Sequence, residues 1–129
     1  MIVIVNILIP VTGDGSNAQD GDAENLKSAT ERLCGKWRID SYKKNGIDKT
    51  FLKKAYTEVY TPDGNYSYSC GNISGTGRWT FQNKEKEIKL IHISNPSPLI
   101  VVILKLEEKQ FWYYYMEGND KKEFHMVEQ

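Results

Sequence analysis

The sequence predicts an all-β protein, an eight-stranded antiparallel up-and-down barrel with a short N-terminal helix. Three observations carry that prediction. The stretch Leu33-Cys34-Gly35-Lys36-Trp37-Arg38-Ile39 opens a strand: a glycine permits close backbone packing, and alternation then points Trp37 and Ile39 one way and Lys36 and Arg38 the other. From Lys36 onward, short apolar runs are divided at regular spacing by turn residues. Fifteen aromatics, eight of them Tyr, follow Gly35, a bias expected of strands and amphipathic pockets.

The strands fall at 36–44, 56–61, 65–70, 77–82, 87–93, 99–106, 110–117 and 121–127. Pro62-Asp63-Gly64 is a hairpin turn in which Pro fixes φ and Gly takes the left-handed position. The links 83–86, 107–109 and 118–121 are as short and as polar. Ser94-Asn95-Pro96-Ser97-Pro98 is expected to interrupt the sheet, because two prolines remove ladder donors. Short links make the strands an antiparallel meander, and eight strands close into a barrel without edges. A seven-strand count would favour a two-layer sandwich instead.

Ahead of the strands, Asp22 is expected to cap a helix over 23–33, with Leu26, Ala29 and Leu33 as a narrow apolar stripe. So short a helix needs the first strand to lean on. Ile2 to Val11 is an apolar run too short to span a bilayer and of the length of a signal-peptide core, although no Lys or Arg precedes it. Small residues at Ser16-Asn17-Ala18 offer a cleavage site, and 12–22 is too polar to order itself. The organisation expected is therefore a leader and linker over 1–22 and one barrel domain over 23–129, exported to the periplasm or cell envelope.

The 129 residues allow one modest core and no second domain. Seventeen basic and seventeen acidic residues cancel and are interspersed, so nothing marks a nucleic-acid partner. No integral membrane span is expected, and the chain is expected to be a monomer. No cofactor is implied. The only histidines, His92 and His125, lie in no metal-ligand spacing, and Cys34 and Cys70 lie in no nucleophile motif. Glu107-Glu108 reads as a solvated turn, and Gly71, Gly75 and Gly77 precede a strand and not the helix that an anion site would use. Acids and bases are not assembled for catalysis, and the chain is expected not to be an enzyme.

The order of these features resembles the lipocalin superfamily, and especially the small lipocalin-like domains of bacterial envelope proteins. The residues that carry the resemblance are Leu33 with Gly35-x-Trp37 after a short helix, Tyr60-Thr61-Pro62-Asp63-Gly64-Asn65-Tyr66 at a tight hairpin, Gly75-Thr76-Gly77-Arg78-Trp79, and Ile88-x-Leu90. It implies a barrel closed at one end by the helix and Trp37 and open at the other to a small apolar molecule or a partner. Lipocalins also lay an arginine from the last strand over the tryptophan. Here 121–129 has none, leaving Lys122, His125 or Arg32 to stand in.

Up-and-down topology puts connections 45–55, 71–76, 94–98 and 118–120 at one end, the candidate mouth, and 62–64, 83–86 and 107–109 at the other. The inward-facing sets read from alternation are Trp37 and Ile39; Val59; Tyr66 and Tyr68; Trp79 and Phe81; Ile88, Leu90 and His92; Ile100, Val102 and Leu104; Phe111, Tyr113 and Tyr115; Phe124 and Met126. Tyr68, Trp79, His92 and Tyr115 fall near the mouth, where apolar bodies with polar tips suit an amphipathic ligand. Phe51 and Leu52 are candidate lid residues in the longest connection. The function expected is non-enzymatic binding of a small hydrophobic or amphipathic molecule. The alternative is a filled barrel that meets a protein or glycan of the envelope through exposed aromatics such as Tyr42, Trp112 and Tyr114.

Overall fold

The computed structural model describes residues 27–129. The leader-like run, the linker, Asp22 and Leu26 lie outside them. Helix α1 (Ala29–Leu33) is followed by strands β1 (Gly35–Lys44) and β2 (Ile47–Asp48), a 3-10 turn at Thr50–Lys53, then β3 (Tyr56–Tyr60), β4 (Asn65–Cys70) and β5 (Ile73–Gln82). The chain continues through β6 (Glu87–His92), β7 (Asn95–Leu106), β8 (Gln110–Glu117) and β9 (Asp120–Glu128). Each strand from β3 onward pairs antiparallel with its successor, and β9 returns to β1, so eight strands close an up-and-down barrel. The two-residue β2 is an appendix on the upper end of β1, paired through Lys43 and Lys44. Among the described residues no helix is long and apolar enough to cross a membrane.

The helix begins later than the apolar stripe predicts. Ser28 is its N-cap: the hydroxyl accepts from the Glu31 N–H while the Glu31 carboxylate accepts from the Ser28 N–H. Ser28-x-x-Glu31 is a capping box, a signal legible in the sequence. Ala29 and Leu33 are buried, and the Arg32 guanidinium donates to the Leu106 carbonyl at 3.1 Å, tying the helix to the lower end of β7. Trp37 then closes the barrel floor. Its indole N–H donates to the Leu33 carbonyl at 2.7 Å and its ring packs on Phe111 at 5.7 Å. None of the three stand-ins for the lipocalin arginine serves as one. Arg32 is bonded to β7, Lys122 pairs with Glu117, and His125 stacks on Trp112 at 4.0 Å.

Alternation assigns most inner positions correctly, and it fails at three places for separate reasons. In β3 the buried residues are Tyr56, Glu58 and Tyr60, so Val59 faces outward and the expected set is inverted. In β7 the inner residues are Leu99, Val101 and Ile103, while Ile100, Val102 and Leu104 face out, Ile100 and Leu104 being exposed. The run Leu99-Ile100-Val101-Val102-Ile103-Leu104 is apolar on both faces, so it holds no periodicity that could choose between them. In β1 the register against β9 shifts between Ile39 and Ser41, a bulge that turns Tyr42 inward onto Phe124 at 4.9 Å. Tyr42 is therefore buried and is not an exposed contact residue.

Two strands are longer than expected. β5 starts at Ile73 and not at Gly77, absorbing Gly75, and β7 starts at Asn95 and runs through both prolines. The prolines are tolerated because β7 pairs with β8 only up to Val102 opposite Tyr114. Above that level one edge of β7 has no ladder to serve, which is where proline is admitted to a sheet. The upper connections are accordingly tight turns, apart from the segment between β1 and β3.

Cys34 precedes β1 at the lower end and Cys70 ends β4 at the upper end, and both are free. A bridge needs Cα atoms within about 7 Å, and a strand length separates these. Thiol titration of the unfolded, unreduced chain is expected to find two free thiols; one thiol pair lost to an intramolecular disulfide would overturn the strand order.

Candidate functional site

Because β1 pairs with β3 only over Gly35–Arg38, the two strands part above that level, and the 3-10 turn fills the gap between them. It is pinned there by Thr50, whose hydroxyl accepts from the Tyr42 N–H at 3.0 Å and donates to Asp48 at 2.7 Å. A second parting lies between the upper halves of β7 and β8. Between these two seams the upper barrel holds a cavity of about 310 Å³.

Its walls follow from strand positions. Tyr56, Tyr66, Tyr68, Leu90, Leu99, Val101, Tyr113 and Phe124 line it, with the Tyr56 and Tyr113 hydroxyls turned to Glu58. Lys53, Ile73, His92 and Tyr115 stand at the mouth. The rings hold one another in place: Tyr113 and Tyr115 stack on Phe124 at 5.0 and 5.8 Å, and His92 meets the edges of Tyr66 and Tyr68 at 5.7 and 5.8 Å. Room for the Tyr68 ring comes from Gly75, since a Cβ there would lie 2.5 Å from the ring. Gly77 likewise admits the β6 backbone, where a Cβ would lie 2.2 Å from the Ile91 carbonyl oxygen. Both glycines thus serve packing, not an anion.

Beneath the cavity lies Glu58, 1% exposed and the one buried charged side chain among the described residues. Its carboxyl is met by three phenols: Tyr60 donates to Oε1 at 2.9 Å, Tyr56 donates to Oε2 at 2.6 Å, and Tyr113 donates to the same oxygen. Burial pushes the Glu58 carboxyl up from the ordinary carboxylate range, and the hydrogen bonds from Tyr113, Tyr56 and Tyr60 oppose that rise. The phenols of Tyr60 and Tyr113 are in turn held far above their usual range, first by burial and then by the Glu58 charge.

At the mouth the Lys53 ammonium lies 5.2 Å from the Tyr42 ring centre, 5.7 Å from Phe124 and 5.8 Å from Tyr56. This is a cation held by ring faces.

Of the residues expected at the site, Tyr68, His92 and Tyr115 line the cavity together. Trp79 does not. Because β5 starts early, Trp79 descends to the lower end, where its indole N–H donates to the Thr61 carbonyl at 2.9 Å. Phe51 and Leu52 are not cavity residues either: at 72% and 56% exposed they stand in solvent on the outside of the 3-10 turn. Sequence reasoning missed Glu58, Tyr56 and Lys53. The signal for the first two was Tyr56-x-Glu58-x-Tyr60, a polar group flanked at strand spacing by two hydroxyl donors able to satisfy it.

No protein-family model matches the chain, and no curated protein matches it in sequence. Two solved structures from Bacteroides share its fold. One is a DUF4847 family protein from Bacteroides vulgatus ATCC 8482, with TM-score 0.54 and 14% identity, covering 75% of this chain and 94% of that one. The other is a protein from Bacteroides uniformis ATCC 8492 solved by NMR, with TM-score 0.56 and 21% identity, covering 80% of this chain and 96% of that one. At these identities the likeness establishes the barrel and nothing about chemistry.

Proposed function

We propose that this chain is an exported, non-enzymatic, lipocalin-like binding protein that holds one small amphipathic molecule in the upper barrel. The observation that carries the reading is the 310 Å³ cavity, a volume at the lower end of ligand pockets, opening beside Lys53 and His92. Its walls combine ring faces and aliphatic side chains with a few hydroxyls, the mixture that orients an amphipathic guest. The open volume weighs against a filled barrel, and the burial of Tyr42 removes one of the aromatics a contact surface would have used.

Fluorescence titration with N-phenylnaphthylamine, an uncharged amphipathic probe, is expected to show saturable enhancement at one site per chain. Gly75→Ala supplies the control, because its Cβ would drive the Tyr68 ring toward the cavity. Probe affinity should fall by about 1.4 kcal/mol, roughly tenfold, with a smaller change in stability because the ring edge has open space to enter. Absence of saturable binding in the parent protein, or equal affinity in Gly75→Ala, would remove the cavity as the site.

A further inference from the structure

Hydrogen-bond accounting fixes what the two phenols beside Glu58 can offer a ligand. A phenol has one donor and two acceptor lone pairs. Tyr56 and Tyr113, which line the cavity, spend their donors on Glu58, so their oxygens have only lone pairs left to give. Behind them stands a carboxyl that has no ion-pair partner among the described residues. The Tyr56 and Tyr113 oxygens are thus acceptors backed by a buried carboxyl, and a cation placed against them favours the ionised form of that carboxyl.

The ring faces near Lys53 supply a second observation. Tyr56 and Phe124 line the cavity, and their rings already carry the ammonium of Lys53 within 5.8 Å. The upper walls therefore accommodate a cation against their faces.

Resting on the binding role proposed above, we infer that the cavity takes a molecule bearing an amine or ammonium group, seated with that group toward Tyr56, Tyr113 and Glu58. The ammonium donates to the phenol oxygens, supplies the counter-charge that Glu58 lacks, and packs on aromatic walls that favour a cation. An anionic group in the same place would meet lone pairs and oppose ionisation of Glu58.

The test is competition against N-phenylnaphthylamine by three compounds that share one aryl-alkyl body: phenylbutylamine, phenylbutanol and phenylbutyrate. The amine is expected to displace the probe at a concentration about tenfold lower than the alcohol, the order expected of a desolvated cation–π and charge contact, with the carboxylate weakest. Glu58→Gln should abolish the preference of amine over alcohol, each read relative to the probe affinity of the same variant. Lys53→Met tests the same point from the mouth: removing a resident ammonium should strengthen amine binding several-fold relative to the alcohol. Equal displacement by amine and alcohol, or stronger displacement by phenylbutyrate, overturns the amine assignment while probe binding keeps the cavity as a site. Failure of the probe itself to bind would overturn the binding role first.

Discussion

Trp37→Ala is expected to cost about 3 to 5 kcal/mol, the ordinary consequence of truncating a buried aromatic. Trp37 is almost wholly buried, packs on Phe111, and satisfies the Leu33 carbonyl at the end of α1. The substitution therefore opens a void at the closed end and leaves a helix-terminal carbonyl without its donor. A domain whose whole stability is about 5 to 15 kcal/mol loses a large share of it in one step. The thermal midpoint should fall sharply, while the folded fraction keeps its probe affinity, because the cavity lies at the opposite end of the barrel. An unchanged midpoint would mean that Trp37 does not close the barrel.

The barrel was legible in the sequence because its determinants are local. Gly35-x-Trp37, the Pro62-Asp63-Gly64 turn and the polar links at 83–86 and 107–109 each dictate a short piece of chain, and eight such pieces in an antiparallel meander leave few ways to close. Facing was less legible where local pattern ran out. Leu99 to Leu104 is apolar on both sides, and only pairing with β6 and β8 selects Val101 for the interior. Tyr42 turns inward through a bulge at Asp40, which follows from closure of β9 on β1 and not from any local feature of Arg38-Ile39-Asp40-Ser41.

The site was half legible for a related reason. Tyr68, His92 and Tyr115 emerge from alternation plus strand direction, since each sits near the upper end of a well-patterned strand. Trp79 was misplaced because 71–76 reads as a loop, although Gly75 is an in-strand glycine that accommodates Tyr68 and the strand begins at Ile73. Glu58 was hidden by the sound rule that carboxylates face water. That rule yields where three phenols converge, and one of the three, Tyr113, lies on a strand distant in sequence.

Replacing Glu58 produces two separable effects. Glu58→Ala leaves the hydroxyls of Tyr56, Tyr60 and Tyr113 without their acceptor in the core and empties the space between them. Orphaned buried donors cost about 1 to 3 kcal/mol each, so a loss on the order of 4 kcal/mol remains after relief of the buried charge. Glu58→Gln keeps the volume and one acceptor oxygen and should cost far less. It also isolates the charge. Burial raises the folded-state affinity of Glu58 for its proton above that of the unfolded chain, so its contribution to stability is fully present below about pH 4.3, the unfolded carboxyl value. That contribution is lost as pH rises through the raised folded value. Denaturant unfolding of parent and Glu58→Gln proteins across this range should therefore show the Gln variant gaining on the parent as pH rises, with the gap levelling once Glu58 is ionised in both states. A gap that moves the other way would mean that the three phenols outweigh burial and hold Glu58 as a carboxylate of lowered proton affinity.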